Sequence, residues 1–369
     1  MSLKDALTKY GDSLIVFSSS LLVYLLFLLG WMRSIRIPDE MLYHNVGIAY
    51  VRGIASGDLD VFMLNPEHPP LAKIVTGILA VALHTLGLGE YPIPTRVHFS
   101  LAVALMSVIV FKIGEQLRGR RSRWLFWLFF LPIPAITSIN YYSVVDATSL
   151  LFFLCSFKSL LLDRRYLRSG IFYGLASLSK FVPLPLFPAI IASWSLYKKA
   201  GREEVVARLR VVGIGLLVFC LGEPLIWTPK LFSVLIEALS LRQHSSAIWS
   251  TPFLHFVQGQ EEAIFEIVAF LFYTISYPCE RFLNINLYVL FLLSLYAAVV
   301  RKWKLSDPEV FLLLVVSATH LIFAVNRVRM WYHDFWVALP MTLFLASIVS
   351  GLVEKRAQRK IEKDGVPHV

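Results

Sequence analysis

Charge is scarce in this chain. Only 16% of its 369 residues are Asp, Glu, Lys or Arg, where a soluble domain carries about a quarter. That shortage excludes a water-soluble globule. With 57% hydrophobic residues and a mean hydropathy of +0.66, the chain reads as an all-α polytopic membrane protein whose apolar surface faces lipid. Cysteine is also sparse. Cys155, Cys220 and Cys279 lie far apart, which excludes a disulfide framework and a zinc-binding spacing. No internal repeat, low-complexity segment or separate soluble domain is visible. The first apolar stretch, 14–32, has no small-residue cleavage site, so it reads as a spanning helix and not as a removable leader.

What charge there is has a pattern. The formal net charge of +10 would suit a nucleic-acid partner if the basic residues shared one face. Instead they fall in short clusters between apolar runs: Lys112 to Arg123, Arg164 to Arg168, Lys198 to Arg210, Arg301 to Lys304, and Lys355 to Lys360. That is the positive-inside pattern, and it excludes a nucleic-acid role. If every cluster is cytoplasmic, an even number of spans separates neighbours. Residues 124–162 then give two spans broken near Asn140. Residues 170–197 give two short ones broken at Lys180 to Pro183, and 309–353 give two broken at Asn326 to Arg329. Stretches 97–113, 211–227 and 284–300 supply one span each. Parity leaves 71–89 and 263–277 as helices lying at the outer interface.

The expectation is about ten spans in one transmembrane domain, 1–353, of a multi-pass cell-membrane protein with both termini cytoplasmic. External loops cover 33–96 and 229–282, and a basic cytoplasmic tail covers 354–369.

The acids concentrate in the first external loop. Asp39 and Glu40 follow Pro38 just past the first apolar stretch. One reading is a cap on a helix starting near Met41, because acids favour helix N-termini. The other is a functional site, the default for charge at a membrane boundary. Rigid Pro38 before the pair, and Tyr43 and His44 after it, favour the second. Further on, Glu67-His68-Pro69-Pro70 reads as a turn into a helix start. Glu67 and His68 would be held at the helix entrance, where they could bind a divalent metal or a phosphate-linked substrate. A metal site needs further ligands beyond that pair.

Asp146 opens the fourth span, as an N-cap or as a substrate contact. Lys180 stands apart from every basic cluster, at the break between two short spans. It suits a phosphate at the interface. Arg327 and Arg329, with Tyr332 and His333, form either a solvated loop or a cationic clamp. His244 lies in the second external loop.

Acids and isolated cations on one membrane face suit transfer from a lipid-phosphate donor. A sugar phosphate carries a good leaving group, so one carboxylate acting as base on an acceptor hydroxyl suffices. Cations or a metal stabilise the departing phosphate. Glycoside hydrolysis would need two carboxylates.

These motifs resemble the protein O-mannosyltransferase and aminoarabinose-transferase group. Its members are GT-C fold glycosyltransferases that use polyprenyl-phosphate sugars such as dolichyl phosphate mannose. The resemblance rests on Asp39-Glu40, His68-Pro69-Pro70-Leu71 with Lys73, Thr95-Arg96, Asp146, and Gly174 to Lys180. Further on it includes His244, Thr251-Pro252-Phe253, and Arg329 with Tyr332 and Pro340. It implies a GT-C-type bundle with external juxtamembrane helices, and a membrane glycosyltransferase working by inverting single displacement. Asp39 would act on the acceptor with Glu40 supporting it. Lys180, Arg329 and Tyr332 would contact the donor phosphate, and His68, Asp146 and His244 would line the substrate. Glu67 with His68 would hold any divalent metal.

The chain lacks the inserted external domain of eukaryotic protein mannosyltransferases and the soluble C-terminal domain of oligosaccharyltransferase subunits. A small bacterial or archaeal enzyme is the natural source. A protein, a lipid or a glycan all stay open as acceptor. Two rival classes stand beside it: a flippase for lipid-linked sugars, with Glu223 and Lys180 as embedded ionisable groups, and a non-catalytic assembly subunit.

Overall fold

The computed structural model describes residues 3–31, 38–66, 68–133, 144–227, 229, 232–233, 282–300, 303–326 and 334–363. Among these, every regular element is helical.

Helix α1, Leu3–Leu25, continues as a π-wound segment, Leu26–Trp31. Helix α2, Pro38–Ser56, and helix α3, Leu71–His84, flank a short 3-10 turn at Leu59–Leu64. Helix α4 runs Ile93–Phe130. Helix α5, Val144–Phe157, has a π-wound extension to Leu162. Helices α6, Tyr166–Ser179, and α7, Pro183–Tyr197, are short. Helices α8, Arg202–Gly222, α9, Phe282–Val300, α10, Asp307–Asn326, and α11, Asp334–Lys363, complete the described bundle.

Five of these segments are long and apolar enough to cross a membrane: Tyr10–Gly30, Ile93–Phe130, Val144–Leu162, Arg202–Gly222 and Trp336–Lys355. Leu71–His84, Pro183–Tyr197 and Leu290–Val300 are shorter apolar helices. At 1.5 Å per residue a 14-residue helix such as α3 or α6 spans about 21 Å, less than the roughly 30 Å hydrocarbon core. Helix α3 covers most of the stretch expected over 71–89, and the break expected at Lys180 to Pro183 falls where α6 ends and α7 begins. The interface helix expected over 263–277 lies outside the described residues.

Helix α4 is two antiparallel arms. Arg118 leaves helical geometry, and Gly119 takes φ 79°, ψ 175°, a conformation open essentially to glycine. The chain reverses there. Trp124 on the second arm meets Phe111 on the first at 4.9 Å between ring centroids, and Arg123 pairs with Glu115 at 2.9 Å. The basic loop expected over Lys112 to Arg123 is thus mostly helix with a two-residue reversal.

A second difference concerns α8, which starts at Arg202, nine residues before the expected span. Glu203 and Glu204 in its first turn complement the helix dipole, and Glu204 pairs with Arg208 one turn on. The expected C-terminal tail also begins as helix, because α11 continues to Lys363.

The apolar core runs through α1, α4, α5, α6, α7, α10 and α11, with Phe99, Phe126, Phe153, Phe187, Phe311 and Trp336 all buried. The two ends of the bundle differ. One carries the basic clusters, and several cations there pair with acids. Arg118 reaches fully buried Glu309, Arg123 reaches Asp12, Lys158 reaches Asp163 at 2.7 Å, and Lys198 reaches Asp307. Glu309 also accepts the backbone N–H and hydroxyl of Ser306, at 2.7 and 2.8 Å, closing the start of α10. The other end gathers the acidic motif of the first loop, the start of α5, the end of α6 and the end of α8.

Candidate active site

The acidic pair begins α2. Pro38 is the first helical residue, and Asp39 and Glu40 lie in the first turn. The helix starts at Pro38, three residues before the start expected near Met41, so both acids are helical positions and not caps. The two side chains diverge. Asp39 is half-buried, while Glu40 is 1% exposed. Glu40 Oε1 accepts from Arg96 Nε at 3.0 Å and from the Thr95 hydroxyl at 2.8 Å. Its Oε2 accepts from Tyr91 at 3.2 Å and Arg96 Nη2 at 3.4 Å. Arg96 also donates through Nη1 to the carbonyl of Leu28 at 2.8 Å, inside the π-wound end of α1. Glu40 and Arg96 together therefore fasten α1, α2 and α4. His44, one turn beyond Glu40, meets the Tyr91 ring edge-on at 6.2 Å.

Helix α3 lies against α2 at backbone distance. A Cβ on Gly47 would sit 2.3 Å from the Lys73 carbonyl, and one on Gly77 would sit 2.1 Å from the Gly47 carbonyl. Only paired glycines permit that crossing. Lys73, in the first turn of α3, is fully buried. Its ammonium donates to the Asn65 carbonyl at 2.7 Å, the Asn65 side chain at 3.1 Å, the Tyr50 hydroxyl at 3.3 Å and the His68 carbonyl. Those bonds fix the turn that presents His68, whose ring lies edge-on to Tyr43 at 5.9 Å. Glu223, 1% exposed at the end of α8, lies within electrostatic reach of Lys73 and Tyr50.

A third charged group joins α5, α6 and α11. Lys180 follows α6 in extended conformation, at φ −155° and ψ 145°, which ends that helix. Its ammonium pairs with Asp146 Oδ1, which also accepts from Trp336 Nε1 at 2.8 Å. Asp146 and Lys180 are 4% and 6% exposed. Asp146 is the third residue of α5 and not its N-cap.

Apolar contacts bind these groups into one region. Tyr43 of α2, Ala72 of α3 and Val145 of α5 form a buried cluster, which places Asp146 beside the acidic loop. Phe181, next to Lys180, packs with Val46, Tyr50, Phe62 and Leu225. Just below, His98 bridges α3 and α5 through Thr76 at 2.9 Å and Thr148 at 3.1 Å.

The structure thus brings Asp39, Glu40, His68, Asp146 and Lys180 to the same end of the bundle. Glu67, His244, Arg329 and Tyr332 lie outside the described residues. Among the described residues no three or more His, Cys, Asp or Glu side chains converge as a metal site would require. Of the pair expected to hold a metal, His68 lies among the described residues and Glu67 outside them.

Arg96, Tyr91, Lys73 and Trp336 complete the region, and sequence reasoning gave them no role. Arg96 carried the signal used for Lys180, a cation standing apart from every basic cluster. A cavity of about 450 Å³ lies at the opposite, basic end and shares no residue with this region.

No family model and no curated protein sequence matches the chain. Among solved structures it is similar to ArnT from Cupriavidus metallidurans in the apo state, at 15% identity and a TM-score of 0.50. The match covers 91% of this chain and 59% of the ArnT chain, so the chain spans well under two thirds of that protein's length. ArnT has the GT-C fold. The likeness is one of fold, and the chain is an all-α polytopic membrane protein of GT-C type.

Proposed function

We propose that the chain is a membrane glycosyltransferase that moves a sugar from a polyprenyl-phosphate donor to an acceptor hydroxyl at the external face. The observation that carries this reading is the division between two adjacent acids. Glu40 has its carboxylate occupied by Arg96, Thr95 and Tyr91, so it acts as an anchor. Asp39, on the same helical turn, is the more exposed of the two acids, half-buried where Glu40 is 1% exposed. The similarity in fold to ArnT supports the reaction class.

In this mechanism Asp39 accepts the proton of the acceptor hydroxyl as its oxygen attacks the anomeric carbon. The bond from that carbon to the phosphate oxygen breaks, the phosphate departs on the polyprenyl chain, and configuration inverts. Lys180, Arg329 and Tyr332 stabilise the departing phosphate. Asp146 holds Lys180 in place, and His68 and His244 border the acceptor. Among the described residues the buried ion pairs sit toward the two ends of the bundle and not across its middle, which favours the enzyme over a flippase.

The test is a reconstituted assay with a labelled polyprenyl-phosphate sugar. Release of polyprenyl phosphate with a sugar of inverted configuration on the acceptor supports the proposal. Movement of intact donor across vesicles without release would assign the chain to transport.

A further inference from the structure

Helix α4 carries two anchors close to its start. Thr95 and Arg96 hold α2 through Glu40. His98, two residues on, holds α3 and α5. Its Nδ1 lies 2.9 Å from the Thr76 hydroxyl and its Nε2 lies 3.1 Å from the Thr148 hydroxyl. All three side chains are buried. Each hydroxyl is also within bonding distance of the carbonyl four residues back, Thr76 to Ala72 at 3.0 Å and Thr148 to Val144 at 2.8 Å. Four contacts thus run in series from the start of α3, through the ring, to the start of α5.

The available protons do not fill all four. Each hydroxyl brings one, and a neutral imidazole brings one. An imidazolium would supply the last, but His98 meets no carboxylate among the described residues, and an unpaired buried charge is costly. The ring is therefore neutral, and the series has two arrangements. With the proton on Nδ1, the ring donates to Thr76, Thr76 donates to Ala72, and Thr148 turns from Val144 to donate to Nε2. With the proton on Nε2, the ring donates to Thr148, Thr148 donates to Val144, and Thr76 turns to donate to Nδ1. Every side-chain group keeps a partner in both. The carbonyl released each time lies in a helix, where the backbone N–H four residues on serves it.

The ends of the series adjoin the candidate site. Ala72 precedes Lys73, whose ammonium fixes the turn at His68. Val144 lies two residues before Asp146, which holds Lys180. Ala72 and Val145 also share a buried cluster with Tyr43 of α2. We infer that His98 is a positioning residue that sets α3 against α5, and so His68 against the Asp146–Lys180 pair, through a hydrogen-bond series with two tautomeric arrangements. The effect on turnover rests on the glycosyltransferase reading, and the series itself does not.

Solid-state NMR of the full-length protein in lipid bilayers, with histidine ring nitrogens isotope-labelled, tests the series. The His98 signals are those lost in His98→Gln. The unaltered protein should populate both tautomers. Thr148→Val should leave the proton on Nδ1, and Thr76→Val should leave it on Nε2, because a ring N–H facing valine has no acceptor. In the transfer assay each valine variant should lower kcat about two- to tenfold, the scale of one neutral hydrogen bond, with KM for the polyprenyl-phosphate sugar unchanged. Thr76→Ser and Thr148→Ser keep the hydroxyl and should retain both the tautomer exchange and kcat. One and the same tautomer in both valine variants would overturn the series. Unchanged kcat in both, or serine variants as slow as the valine ones, would overturn the positioning role. A tautomer shift in a protein that transfers no sugar would leave the series standing and sink the transferase reading.

Discussion

Glu40 and Arg96 meet as a buried two-point ion pair, Nε to Oε1 at 3.0 Å and Nη2 to Oε2 at 3.4 Å, with neither side chain more than 2% exposed. The pair joins the first turn of α2 to the first turn of α4 and, through Leu28, to the end of α1. Its consequence for Asp39 is positional. The backbone that carries Asp39 cannot shift without breaking charge-assisted bonds inside the bundle.

Removing one partner of such a pair leaves an uncompensated buried charge. Glu40→Ala and Arg96→Leu should each cost about 3–5 kcal/mol, read as a fall in melting temperature in detergent. The double variant should cost less than the sum of the two. Strict additivity in that cycle would mean that the two groups do not interact.

Asp146 and Lys180 allow a test of structure against function. Asp146→Asn should lower both stability and sugar transfer, because Lys180 loses its carboxylate. Asp146→Asn combined with Lys180→Met should recover stability, since no unpaired charge stays buried. Sugar transfer should stay low in the double variant if Lys180 serves the donor phosphate. Recovery of transfer along with stability would reduce the pair to a structural tie.

These two pairs also mark how far the sequence could be read. Lys180 was visible as a lone cation where a basic cluster was not due. Arg96 offered the same signal, but a position four residues into an apolar helix hid its partner, 56 positions earlier in the chain. The spans over Tyr10–Gly30, Val144–Leu162 and Trp336–Lys355 were legible because lipid demands long apolar runs. The reversal at Arg118-Gly119 was not, since helix propensity continues on both sides and only the dihedral angles betray the turn. The early start of α8 was legible in principle from Glu204 and Arg208 at i,i+4 spacing, and the start of α10 from Ser306 and Glu309. Contacts set by tertiary packing, such as Trp336 to Asp146, left no local pattern at all.

His44 gives a pH dependence. Burial holds its imidazole below the ordinary value of 6.5, with Glu90 pulling weakly the other way. Around and below pH 6.5 the unfolded chain therefore binds a proton that the folded chain refuses. Stability from this source is full above pH 6.5 and is lost as pH falls from there through the folded value. His44→Gln should flatten the fall in melting temperature between pH 7.5 and pH 5. Parallel curves for the two proteins would remove His44 from the account.

The glycine crossing of α2 and α3 should be intolerant of any side chain. Gly47→Ala places a carbon 2.3 Å from the Lys73 carbonyl, and overpacking of this kind costs about 1–3 kcal/mol. Because the crossing sets the path of α2, transfer activity should fall further than stability alone explains. A variant with normal melting temperature and normal activity would show that the crossing is slack.

The central claim is that Asp39 is the base, and Asp39→Asn tests it most directly. The substitution keeps size and removes the proton acceptor. The rate of sugar transfer from a labelled polyprenyl-phosphate donor should fall by about 10²–10⁴-fold, with expression, melting temperature and donor binding retained. Turnover near that of the unaltered protein would contradict the assignment.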